Sequence, residues 1–263
     1  MAMESTNSQV LKKHLTGNNL KLIAIIAMLI DHIAHTIVYK LYLKAIVVDG
    51  VHMMGDSRPE EAMKIYLIYM IMRSIGRLTY PIFAFMLVEG FAHTSNLKKY
   101  IFRLLIFALI SEIPYDLAIS GRIIALGSQN IIWSLLIGLI MLYFIKRAKK
   151  YNKKKRVVLI TGYIILAEAI TFLIQANAIG GLLLISILYI FRKQPKKLLL
   201  WGTISLSVMA LGFMWIQIFG VISFILFKYY NGTVGKGNKY LFYIFYPVHL
   251  LILSVISIIM FTY

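Results

Sequence analysis

Leu20-Lys21-Leu22-Ile23-Ala24-Ile25-Ile26-Ala27-Met28-Leu29-Ile30-Asp31-His32-Ile33-Ala34-His35-Thr36-Ile37-Val38-Tyr39 is an apolar run of membrane-crossing length that carries Asp31, His32 and His35 in its interior. A helix needs about 20 predominantly apolar residues to cross the hydrocarbon core. Placing a charge at the centre of such a helix costs about 2.5–3.5 kcal/mol on insertion scales, and ionisable groups at depth face a protein-lined cavity far more often than lipid. The run therefore sets the class of the protein and marks where its chemistry is to be sought.

Composition agrees with a membrane class. Hydrophobic residues make up 60% of the 263 and charged residues only 14%, whereas about a quarter of a soluble domain is charged. Apolar runs near 20–39, 78–92, 100–119, 128–145, 157–175, 178–191, 198–214, 215–229 and 240–262 predict an all-α, polytopic integral membrane helix bundle of about nine (8–10) transmembrane helices. The runs 178–191 and 215–229 are short for spans. Residues 1–19 read as a cytoplasmic tail and 20–263 as a single transmembrane domain. The lysines ahead of the first run look like a signal peptide, but no small-residue cleavage pattern follows, so the segment is expected to be retained. Without cysteine there is no disulfide framework, thiolate nucleophile or zinc–thiolate site, and no metal is expected.

A net charge of +18 raises the question of nucleic acid, and the distribution of the cations answers it. With the N-terminus inside, alternate connections collect Lys12, Lys13 and Lys21, then Lys98, Lys99 and Arg103, the run from Lys146 to Arg156, the cluster from Arg192 to Lys197, and Lys228, Lys236 and Lys239. Those are 21 of the 28 lysines and arginines. The positive-inside rule places the N-terminus in the cytoplasm and makes the charge a topology signal. No nucleic-acid partner is expected; membrane lipid is. Residues 40–61 read as a polar outer loop and 62–76 as an approach helix near the interface. The Asn231-Gly232-Thr233 sequon falls on a cytoplasmic connection, and the glycines after it lack the P-loop spacing.

Residues four apart share a helix face, so Asp31 stacks on His35, with His32 about 100° round the helix. A neutral histidine at this depth can take a proton from a hydroxyl or amine while a carboxylate steadies the imidazolium; the alternative is a buried histidine bonded to a neighbouring helix. Arg73 and Arg77 form a second pair, and Glu112 and Asp116 a third that brackets Pro114, where a lost backbone hydrogen bond is expected to open the helix. Two arginines and two carboxylates at similar depth either pin helices together or meet a substrate, because Arg can fork a carboxylate and keep donors free. Glu89 and His93 lie at the predicted inner mouth beside Lys98 and Lys99. His249 sits in the last span behind Tyr246-Pro247, and Glu168 is a lone acid in the fifth; for each of these a packing role stands beside a functional one.

Leu20-Lys21-Leu22-Ile23-Ala24 with Met28-Leu29-Ile30-Asp31-His32, Gly76-Arg77-Leu78 with Tyr80-Pro81-Ile82-Phe83-Ala84-Phe85, Glu89-Gly90-Phe91 with His93-Thr94, and Ser111-Glu112-Ile113-Pro114-Tyr115-Asp116 resemble the TraX family. Asn130, Gly180-Gly181 and Tyr246-Pro247-Val248-His249 resemble its later blocks, although Asn177-Ala178-Ile179 departs from the more polar turn expected there. The family is associated with N-terminal acetylation of conjugative pilin and is similar to wider membrane acyltransferases. The resemblance implies an acetyltransferase of the bacterial cytoplasmic membrane that draws on acetyl-CoA and modifies an amine or hydroxyl of an envelope protein or glycan. It implies His32 as general base or acyl carrier and Asp31 as its partner, with Arg73, Arg77, Glu89, His93, Glu112, Asp116, His249 and His35 around substrate. Two other classes fit the buried ionisable residues. One is a proton-coupled transporter, using helices broken near Pro81, Pro114 and Pro247; the other is a non-catalytic pilus or envelope assembly factor.

Overall fold

The computed structural model describes residues 14–48, 50–176, 180–212, 215–237 and 239–261. Asn177-Ala178-Ile179, Asp49 and residues 1–13 of the expected tail lie outside them. The first run folds as α1 (Gly17–Ile33), a π-helical turn (Ala34–Val38) and α2 (Tyr39–Ala45), so it reaches past Tyr39 into the expected loop. A two-residue hairpin follows, β1 (Val47–Val48) with β2 (Val51–His52), and then α3 (Glu60–Gly76), α4 (Thr79–His93), α5 (Leu97–Ser120), α6 (Ile131–Ala148), α7 (Lys153–Leu173), α8 (Gly181–Ile190) and α9 (Pro195–Gly212). A 3₁₀ segment (Trp215–Ile222), α10 (Ser223–Lys228) and α11 (Lys239–Phe261) complete an all-α bundle.

Helix starts are written in short polar residues. At α1 the Thr16 hydroxyl accepts the Asn19 N–H at 3.2 Å while the Asn19 carboxamide accepts the Thr16 N–H at 3.0 Å, a reciprocal capping box. Asn96, Asn130 and Asn152 cap α5, α6 and α7 through their side-chain oxygens. Gly121, at φ 66°, ends α5 in the left-handed conformation that costs glycine least. Leu15 and Gly17 also donate to the carbonyls of Tyr229 and Thr233, tying the entry of α1 to the connection before α11.

Among the described residues five helices are long and apolar enough to cross a membrane: Gly17–Ala45, Glu60–His93, Ile131–Ala148, Lys153–Leu173 and Tyr240–Phe261. Nine runs are expected to cross; the others differ from these five in length or charge. The run 178–191 becomes α8, ten residues with Leu182, Leu184, Ile185 and Leu188 fully buried. A helix apolar on every side belongs at the centre of a bundle, and ten residues rise only about 15 Å. The run 215–229 splits into the 3₁₀ segment and α10. α5 is 24 residues long but carries Lys98, Lys99, Arg103, Glu112 and Asp116. In contrast α7 buries only Ala167 and Thr171 and turns Ile165, Leu166 and Phe172 outward, the pattern of a peripheral helix.

Two further expectations change. α5 and α11 run on through Pro114 and Pro247, so neither proline breaks its helix. Residues 62–76, read as an approach helix, form most of α3, which packs along α1 and leads into α4 after only Arg77 and Leu78. Gly76 makes that packing close, because a Cβ there would overlap the Cβ and carboxylate of Asp31.

Candidate functional site

The π-helical turn begins two residues after His32. Widening the helix by one residue per turn takes backbone carbonyls out of the α-helical ladder, and such turns concentrate at functional sites. Side chains meet the displaced groups: the Thr36 hydroxyl donates to the His32 carbonyl at 2.7 Å, and the Ser257 hydroxyl of α11 donates to the Thr36 carbonyl at 3.1 Å. Lys40 Nζ donates to the same Ser257 oxygen at 2.7 Å. The turn is thereby laced to α11, the helix that carries His249.

His32 Nδ1 lies 2.7 Å from His249 Nε2, and His249 Nδ1 lies 2.7 Å from the Phe245 carbonyl. A carbonyl accepts only, so His249 must carry its proton on Nδ1, which leaves Nε2 as an acceptor when the ring is neutral. His32 then donates from Nδ1 and keeps the Nε2 lone pair. That nitrogen makes no hydrogen bond among the described residues. Tyr246 meets both imidazoles edge-on, at centroid distances of 6.2 and 5.8 Å.

Asp31 faces the other way. Arg73 Nη1 reaches its Oδ2 and Arg77 Nη2 its Oδ1, each at 2.7 Å, with all three side chains largely buried. Arg77 Nε also donates to the Arg73 carbonyl at 3.1 Å. Burying one carboxylate against two guanidiniums satisfies both oxygens and leaves the group net positive, so Asp31 sets the charge beside His32 without orienting its ring. The expectation of Asp31 as the histidine's orienting partner is corrected accordingly: His249 holds that place. His35 is likewise unpaired with Asp31; its ring stacks on Tyr39 at 6.2 Å and its buried Nδ1 has no hydrogen-bond partner.

The arginines do not meet the carboxylates of α5. Glu112 accepts from the Trp133 indole at 2.7 Å, from the Asn130 carboxamide at 2.5 Å and from the Asn130 N–H at 3.3 Å. Asp116 accepts the Ala125 N–H at 2.8 Å. Both carboxylates organise the α5–α6 connection, and Glu168 does the same for α8 by accepting the N–H groups of Gly180 and Leu183. Glu89 is buried and forked by Arg192, through Nε to one oxygen and Nη2 to the other at 2.9 Å, whereas His93 is mostly exposed. Hydrogen bonding to Glu89 holds the Arg192 guanidinium above its ordinary pKa. The sequence groups Arg192 with the surface cations; only its place directly after Phe191, the expected end of a span, hints otherwise.

A cavity of about 340 Å³ opens between α1, α4, α5, α6 and α11. Lys21, His93 and Arg103 stand at one end, Phe83, Leu87 and Leu135 form apolar wall, and Tyr246 and Met28 lie toward the histidines. Met28 precedes His32 by one helical turn on the same face. The cavity therefore joins a cationic mouth to a largely apolar wall; neither His32 nor His249 lines it, and Met28 and Tyr246 stand between it and the imidazoles. No solved structure matches the chain. A probable fimbrial assembly protein FimC of serogroup H1 from Dichelobacter nodosus is 29% identical over 268 residues, covering 89% of this chain and 92% of that protein. The model of the TraX family, described as TraX protein, matches residues 16–257, taking in the π-helical turn, both arginines and His249; the chain belongs to the TraX family.

Proposed function

We propose that the chain is a multi-pass acetyltransferase of the bacterial cytoplasmic membrane, N-terminus inside, that takes acetyl from cytosolic acetyl-CoA and passes it to a hydroxyl or amine of an envelope acceptor, a pilin N-terminus or a glycan. The supporting observation is the His32–His249 contact at 2.7 Å, one helical turn along α1 from Met28, in a bundle whose neighbouring cavity carries Lys21, His93 and Arg103 in its lining. An acyl donor with phosphates at one end and a thioester at the other matches that arrangement. Charge asymmetry of the connections supports the orientation.

In this reading His32 Nε2 removes the acceptor proton as its oxygen or nitrogen attacks the thioester carbonyl. The new C–O or C–N bond forms, the C–S bond breaks, and the thiolate takes the proton back from His32. The hydrogen bond from Nδ1 to His249 fixes the ring through both transfers, and the net positive Asp31–Arg73–Arg77 group favours the oxyanion between them. Membranes containing the protein, supplied with radiolabelled acetyl-CoA, test the proposal. His32→Ala is expected to lower label transfer by about 10²–10⁴-fold, and His249→Ala by about 10²-fold through loss of orientation. Transfer by His32→Ala at the parent rate overturns the assignment.

The relative's name supports a second reading, a non-catalytic assembly factor for fimbriae. It predicts no acyl-CoA-dependent labelling and a pilus defect unaffected by His32→Ala. The transporter reading loses the support it drew from Pro114 and Pro247, since the helices containing them are continuous.

A further inference from the structure

A second cavity, of about 350 Å³, lies beside the last turn of α4, where α6 and α8 also end. Lys146, Lys149, Arg192 and Lys193 line it, with Phe91 and Tyr189 as its aromatic wall. None of the three lysines has a carboxylate partner among the described residues. Lys146 Nζ instead stands over the Phe91 ring at 5.7 Å and Lys149 Nζ over the Tyr189 ring at 4.7 Å, and the two rings meet edge-on at 5.6 Å.

Like charges gathered in a concave site repel unless something compensates them. The four cations outweigh Glu89 and the roughly half-unit negative ends of α6 and α8. Glu89, buried in α4, occupies Nε and Nη2 of Arg192 and aims its guanidinium; Nη1 makes no hydrogen bond among the described residues. A forked arginine with donors left over, among mobile ammonium groups, is the donor set for phosphate oxygens. Flat aromatic faces beside it add a surface on which a base or a glycerol backbone can lie.

We propose that this cavity is a binding site for a phosphate ester, separate from the cavity lined by Lys21, Met28 and Tyr246. Two sources carry that chemistry, a soluble nucleotide and an anionic phospholipid headgroup. The site stands whether or not the chain transfers acetyl, because its probes carry no acyl thioester.

Purified full-length protein in a neutral maltoside detergent is tested with radiolabelled adenosine 3′,5′-bisphosphate by equilibrium dialysis, and with phosphatidylglycerol by retention through native mass spectrometry. Lys149 and Lys193 are exposed, so Lys149→Ala with Lys193→Ala removes the Lys149–Tyr189 contact but no buried side chain. The double variant is expected to bind about tenfold more weakly or worse, with the double Arg variant restoring binding. Variant-sensitive binding of the bisphosphate assigns a nucleotide; variant-sensitive binding of phosphatidylglycerol alone assigns a lipid headgroup. If the parent binds neither probe, or the double Ala variant binds as the parent does, the proposal is overturned.

Discussion

Two guanidiniums, Arg73 and Arg77, share the single carboxylate of Asp31, and the three side chains are only 11–14% exposed. Asp31→Asn would leave both cations buried without a counter-ion, and breaking a buried pair in this way costs about 3–5 kcal/mol. The unfolding midpoint in detergent should fall clearly; an unchanged midpoint would contradict the pairing. The same substitution leaves the His32–His249 contact in place, so any loss of transfer should be smaller than that of His32→Ala. At this scale the sequence marked the ionisable residues because each is expensive in an apolar run. It misjudged several partners: spacing of four put His35 with Asp31, and similar depth put the arginines with Glu112 and Asp116. Spacing along one helix says nothing about what a neighbouring helix offers, and an arginine fork from α3 out-competes a histidine on the same helix.

At the level of elements, the contact of α1 with α3 rests on Gly76. Gly76→Ala forces the new methyl against Asp31, so either the helices separate or the Asp31–Arg pairs shift. Overpacking of this kind costs about 1–3 kcal/mol, and lower thermal stability together with reduced transfer is expected. Normal stability and transfer would show that the helices stand further apart than described. Helices were legible as apolar runs because the period and length of such runs are local properties. The short ones were not legible as spans or core: α8 and the segment from Trp215 to Lys228 are as apolar as the membrane-crossing helices, and hydropathy does not distinguish burial in protein from burial in lipid. The π-helical turn had no signal in the apolar pattern, since its widening is stabilised by Thr36 and by Ser257 from α11.

For the whole molecule, the unequal distribution of cations predicts an orientation that can be measured directly. The chain has no native cysteine, so single cysteines report cleanly. Arg122→Cys, in the exposed connection after α5, should react with a membrane-impermeant maleimide in intact spheroplasts, and Lys150→Cys, exposed after α6, only after lysis. The opposite result would invert the bundle and place the mouth of the cavity near Lys21 outside.

Local features of the sequence determined that this is a helical membrane protein, which segments are helical, and that Asp31, His32 and His249 need a protein environment. Each of these follows from the cost of placing polar groups in an apolar run, which is a property of the run itself. Only the tertiary structure decided that His32 meets His249, 217 residues away, that Asp31 belongs to the two arginines, and that Glu89 aims Arg192 into a basic cavity. Those pairings depend on which helices lie side by side and how closely, and that is settled by side-chain fit and by small residues such as Gly76, which hydrophobic periodicity does not encode.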